Sequence, residues 1–222
     1  MTENHEIRDF VIDGSPLAAF FAIFAFFSFY HLPIEGYAAT ATSPAGLLTS
    51  NFVWDSSWNV PFIYSALAIV VLAAIRSQTR RRLIAFSYPF VTIASAVVAN
   101  WLLFQTPYVR PPYCIHCMVV GMSTVASASV GAALVVSFAY LLISLTGVRG
   151  GFRNLGETLF VPIALFVASL TTLFLFLQSF FFGVPGSAFF SHATSFILGC
   201  GIMATVVWSH GKLCALFRPS AD

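Results

Sequence analysis

The stretch that decides the fold runs from Arg76 to Phe104 and reads RSQTRRRLIAFSYPFVTIASAVVANWLLF. Arg76, Arg80, Arg81 and Arg82 stand first, and Leu83–Phe104 follows without a single Asp, Glu, Lys or Arg. About 20 apolar residues suffice for a helix to cross a bilayer, and this run has that length. Cations gathered at one end of a span favour the cytoplasmic side. One span, with a direction, is readable from this stretch alone.

Composition extends that reading to the whole chain. Hydrophobic residues make up 59% of the 222 positions, charged residues only 8%, and phenylalanine occurs 25 times. A soluble domain carries about 25% charged residues, so this chain lacks the polar groups to cover a water-facing surface. An integral membrane protein is expected, with the lipid bilayer as its first partner. The net charge of +2 is too small to suggest nucleic acid. No phosphate-binding loop or serine triad is visible, and no acidic or basic residue inside a span marks an ion pathway.

Six apolar segments follow along the chain, at Pro16–Leu32, Val60–Ile75, Leu83–Phe104, Cys114–Leu145, Leu159–Phe182 and Ala188–Trp208. The runs are continuous and show no period-2 alternation, which excludes a β-barrel pattern. An all-α bundle of about six transmembrane helices is the expected fold. Arg76 and Arg80–Arg82 lie between segments two and three, Arg149 and Arg153 between four and five, and Lys212 and Arg218 after six. The alternate connections hold Glu35, Asp55 and one cation, Arg110. Both termini are therefore expected in the cytoplasm. Tyr30, Tyr37, Trp54, Trp58, Trp101, Tyr108 and Tyr113 gather on the other side, as an interfacial aromatic belt does. Ala39-Thr40-Ala41 resembles a signal-peptidase site, but the region before the first segment carries Glu3, Glu6, Asp9 and Asp13 against Arg8. A secretory signal has a basic start, so the first segment is expected to stay as an anchor.

Against this frame one motif carries chemistry. In PPYCIHCMVVG, Pro111 to Gly121, Cys114 and Cys117 stand three residues apart at the outer mouth of segment four. On a helix such a pair shares one face and lies close enough to bridge. Free N–H groups and the dipole at a helix N-terminus favour the thiolate. Pro111 and Pro112 suit a helix entry, and an outward-facing dithiol sits where disulfides persist. A redox-active pair is the expectation. The alternative is that each cysteine is a small buried hydrophobe. Covalent haem attachment is excluded, because Cys117 is followed by Met118 rather than histidine.

The order of a first span, an outer loop, Ser56-Ser57-Trp58-Asn59-Val60-Pro61, a basic turn, a third span and Cys114-Ile115-His116-Cys117 resembles the vitamin K epoxide reductase family. More loosely it resembles the DsbB-type disulfide-generating proteins. The resemblance covers residues 16–146 as a four-helix core with outer loop 33–59. Residues 1–15 remain as a cytoplasmic N-terminal segment, and 147–222 as two additional helices with a short tail. It implies a membrane thiol–disulfide oxidoreductase of a bacterial inner membrane, passing electrons from a periplasmic thioredoxin-like protein through Cys114 and Cys117 to a quinone (ubiquinone or menaquinone). Cys117 would face the quinone and Cys114 the partner. Trp58, Asn59, Asn100 and Trp101 would lie near the quinone headgroup, with Arg110 beside the thiolate. Loop 33–59 contains no cysteine, and Cys200 and Cys214 fall in segment six and the tail. The family's shuttle pair is thus absent, and Cys114 would exchange with its partner directly.

Two other classes stay open. His31, His116 and His192 lie on the outer side of the drawn topology and, with the two cysteines, have the donor types of a copper(I) or zinc site. A phenylalanine-rich chain without shuttle cysteines also suits a non-catalytic accessory subunit of a larger membrane complex. The remaining marked residues read as structural. Ser127-x-x-x-Gly131 and Gly199-Cys200-Gly201 are small surfaces for close helix approach. Asn100 and Gln178, polar groups within spans, call for interhelical hydrogen bonds. Pro89 and Pro162 kink or begin helices.

Overall fold

The computed structural model describes residues 2–30, 33, 37–38, 46–53, 78–106, 123–147, 163, 167, 170 and 186–216. Among them the secondary structure is helical throughout, with no strand. Helix α1 spans Thr2–Tyr30, α2 Gly46–Thr49 with a 3-10 turn at Ser50–Phe52, α3 Gln78–Gln105, α4 Ser123–Gly147 and α5 Gly186–Leu216. Two stretches, Arg82–Gln105 in α3 and Phe189–Ser209 in α5, are long and apolar enough to cross a membrane. Shorter apolar stretches are Val11–Phe27 in α1 and Ser123–Ala139 in α4. Val60–Ile75, most of Leu159–Phe182 and the start of segment four lie outside the described residues.

Residues 2–15, expected as a segment ahead of the first span, form the first half of α1. The helix passes through Pro16 because its neighbour compensates. Proline has no N–H for the carbonyl four residues back, here that of Ile12, and the Ser15 hydroxyl donates to that carbonyl at 2.8 Å instead. Helix α3 likewise continues through Pro89. At its end Thr106 donates to the Leu103 carbonyl from both Oγ1, at 2.6 Å, and the backbone N–H, at 3.0 Å.

Side-chain contacts fix the helix directions. Arg82 Nε donates to Asp13 Oδ1 at 2.6 Å, which ties the start of α3 to the first half of α1. At the other end Phe27 packs on Phe52, ring centroids 5.1 Å apart, and Asn100 reaches Asn51. Helices α1 and α3 therefore run parallel. Eighteen residues of helix separate Arg82 from Asn100, about 27 Å at 1.5 Å per residue, close to the roughly 30 Å hydrocarbon thickness of a bilayer. Helices α4 and α5 both start at the Asn100 end, through Thr124 and Ser191, and so run parallel to each other and antiparallel to α3.

Large side chains sit outside and small ones inside. Phe86, Phe90, Phe138, Ile197 and Trp208 are exposed, while Ala85, Ala96, Ala99, Ala126, Ala128, Ala132, Ser95, Ser127 and Ser129 are buried. Helices that pack in lipid do so through small residues, because lipid offers no penalty to an outward-facing phenylalanine. Two interior hydroxyls bond within their own helix: Ser127 donates to the Ser123 carbonyl at 2.9 Å and Thr92 to that of Pro89 at 2.9 Å. Helices α4 and α5 make the closest approach. A Cβ at Gly131 would collide with the Phe196 carbonyl oxygen, and one at Gly199 would lie 2.5 Å from that of Ala128. A Cβ at Gly201 would meet nothing within 4 Å, so Gly131 and Gly199 close this interface and Gly201 takes no part.

The ion pair at the Arg82 end gives a first test. Asp13 is 1% exposed and Arg82 52%, so losing the cation leaves a buried carboxylate without this partner, at a cost of roughly 3 kcal/mol. Partial exposure of Arg82 lowers that figure. Arg82→Gln is expected to lower the unfolding midpoint in detergent micelles, and the double variant Asp13→Asn, Arg82→Gln to recover most of the loss. Equal midpoints for single and double variants would show that the pair does not join α1 to α3.

Candidate functional site

Four segments converge on a buried polar cluster at the Asn100 end. It begins with Asn51, which the short α2 and the following turn present inward. Asn51 Nδ2 donates to the carbonyls of Leu47 at 2.8 Å and Leu48 at 3.2 Å. A carbonyl can only accept, so these bonds fix which end of the Asn51 amide is nitrogen. Its Oδ1 then faces Asn100 and must accept, so the Asn100 atom opposite it, at 3.4 Å, is Nδ2. Asn100 Oδ1 consequently faces the other way. It accepts from Ser191 Oγ at 2.7 Å and from Thr124 Oγ1 at 3.4 Å.

The distances rank these bonds. At 2.7 Å the Ser191 bond has an ideal O–H···O length, whereas the 3.4 Å contacts lie at the weak end. Thr124 Oγ1 and Ser191 Oγ are themselves 3.4 Å apart, and Ser195 Oγ donates to the Thr124 carbonyl at 2.8 Å. Asn51, Asn100, Thr124, Ser191 and Ser195 are all buried. An unsatisfied amide in such a place costs about 1–3 kcal/mol, so the cluster is a set of interhelical ties among α3, α4, α5 and the α2 turn. Asn100 Nδ2 carries a second N–H, and among the described residues no acceptor is recorded for it.

Of the residues singled out in the sequence, Asn100 is at the centre of this cluster. Trp101, next along α3, is 49% exposed and faces away from it. His192 is buried directly beside Ser191 in sequence. No group of three or more His, Cys, Asp or Glu side chains suited to a metal occurs among the described residues. Cys114, Cys117, Trp58, Asn59, Arg110, His31 and His116 lie outside the described residues. Sequence reasoning missed Asn51, Thr124, Ser191 and Ser195. The available signal was depth: Asn100 ends one segment, while Thr124 and Ser191 begin the described parts of two others, so all three fall at one level of the drawn topology.

No protein-family model, curated protein or solved structure matches the chain.

Proposed function

We propose that the protein is a six-helix membrane thiol–disulfide oxidoreductase that passes electrons from an extracytoplasmic thiol protein, thioredoxin-like in kind, through Cys114 and Cys117 to a quinone. The observation that carries the reading is the buried cluster around Asn100, at the end of the bundle where α4 begins. Cys117 precedes Ser123 by six residues, a reach of at most about 22 Å even fully extended. The parallel course of α1 and α3, and of α4 and α5, supports a return of the chain between each pair, which makes six crossings in all. The Asp13–Arg82 end, preceded by Arg76, Arg80 and Arg81, is the cytoplasmic one under the same positive-inside rule.

The residues present suit a quinone carbonyl. Asn100 Nδ2 has a second N–H to donate, and the cluster around it is buried and uncharged. When bound, the quinone serves as electron sink, taking two electrons and two protons to become the quinol. The chain's own residues do the rest. With Cys114 and Cys117 joined as a disulfide, a partner thiolate attacks Cys114 and displaces the Cys117 thiolate, giving a mixed disulfide. The partner's second thiol then displaces Cys114, so the partner leaves oxidised and the pair stays reduced. Reoxidation of the pair sends its two electrons and two protons to the quinone and restores the Cys114–Cys117 bond.

Thiol labelling of intact cells tests the reading. Cys114 and Cys117 are expected to react with an impermeant maleimide only after reductant, and to reoxidise when reductant is removed in the presence of quinone. Labelling that ignores reductant would favour the accessory-subunit class, and protection by copper(I) or zinc the metal-binding class.

A further inference from the structure

Helix α5 lies beyond the part of the chain that carries the cysteine motif, yet it makes the shortest bond to the central amide. We propose that Ser191 on α5 and Asn51 in the α2 turn are positioning residues that hold Asn100 in one orientation and turn its second amide N–H to a quinone carbonyl; this rests on the quinone reading above. The hydrogen-bond directions are fixed in sequence. The Leu47 and Leu48 carbonyls set Asn51, Asn51 Oδ1 sets Asn100 Nδ2, and Ser191 and Thr124 complete the lock by donating to Asn100 Oδ1. Asn51, Asn100, Thr124 and Ser191 are buried, so water does not compete for the groups around the Asn100 amide. Without Ser191 the Oδ1 side loses its 2.7 Å donor and keeps only the 3.4 Å contact of Thr124. The amide is then free to rotate, and its N–H is held toward the ligand for only part of the time. The glycine-closed contact of α5 with α4 holds Ser191 at this level.

The test reads quinone binding apart from turnover. In the full-length protein with Cys114→Ser and Cys117→Ser, a short-chain ubiquinone analogue is titrated and binding followed by quenching of tryptophan fluorescence. Ser191→Ala is expected to weaken binding about tenfold, as loss of one well-formed hydrogen bond does. Thr124→Val should weaken it less, in keeping with its longer bond, and Ser191→Thr, which keeps the hydroxyl, should bind as the parent does. Asparagine side-chain ¹⁵N resonances give a second readout: one NH2 pair should shift with quinone in the parent and lose that shift in Ser191→Ala. A parent that binds quinone and a Ser191→Ala variant with equal affinity would overturn the role given to Ser191 while leaving the quinone reading intact. A parent that binds no quinone would overturn the quinone reading and this inference with it. Should Ser191→Ala fail to fold, Thr124→Val alone decides: undiminished binding overturns the lock.

Discussion

Gly131→Leu and Gly199→Leu are each expected to part α4 from α5 and leave little folded protein in the membrane fraction. The reason is that the atoms in the way are mostly backbone. At Gly131 they are the Phe196 carbonyl oxygen and the Cys200 nitrogen, with the Cys200 Sγ beside them, and at Gly199 they all belong to the Ala128 backbone. A flexible side chain can swing aside; a helix backbone must move as a whole. Overpacking costs about 1–3 kcal/mol for modest insertions, so alanine should give that much and leucine the upper end or more. Shifting α5 also withdraws Ser191 from Asn100 and Ser195 from the Thr124 carbonyl, coupling the loss to the polar cluster. Gly201→Leu is the control, since a side chain there meets nothing within 4 Å. Thermal unfolding monitored in micelles should rank Gly201→Leu with the parent and the other two far below. If Gly131→Leu or Gly199→Leu melts like the parent, the two helices do not pack as described.

The second large effect concerns the two cysteines. Cys117→Ser is expected to abolish turnover and accumulate a mixed disulfide between Cys114 and the thiol partner. Cys114 is the earlier residue of the pair, nearer the outer loop in sequence; incubated with the oxidised partner, its lone thiolate opens the partner's disulfide, and Cys117, whose thiolate would attack Cys114 and release the partner, is gone in this variant. Cys114→Ser should abolish turnover equally but trap nothing. Non-reducing gels of cross-linked partner, compared for the two variants, read the difference directly. Trapping through Cys117 instead would reverse the two roles.

How much of this was legible beforehand depends on the kind of residue. The runs Leu83–Phe104 and Ala188–Trp208 announce themselves by length and lack of charge, and the structure has apolar helices of membrane-crossing length over nearly the same residues, Arg82–Gln105 and Phe189–Ser209. The small-residue pairs also pointed to the tight α4–α5 contact, although spacing alone did not separate Gly199, which faces α4, from Gly201, which does not. One residue step turns a helix position by about 100°, and two such steps carry Gly201 away from α4. The helical course of residues 2–15 ahead of the first apolar run was not read beforehand, because nothing in the sequence shows a serine hydroxyl replacing the missing proline N–H. The polar cluster was legible only through Asn100, the one amide inside the third span. Asn51 lies in a loop rich in Ser, Thr and Ala, and Thr124, Ser191 and Ser195 are hydroxyls of the kind that usually bond to their own helix. Their convergence is a property of three helices meeting at one level, which no local pattern encodes.

The central claim is that Cys114 and Cys117 give their electrons to a quinone, and stoichiometry tests it most directly. Purified protein in lipid nanodiscs, fully reduced and freed of reductant under anaerobic conditions, is mixed with ubiquinone or menaquinone analogues, and both free thiols and quinol are counted. The account predicts one quinol formed for each pair of thiols lost, at Cys114 and Cys117 only, and no quinol from Cys114→Ser or Cys117→Ser. Quinone left unreduced while both thiols remain free would contradict it.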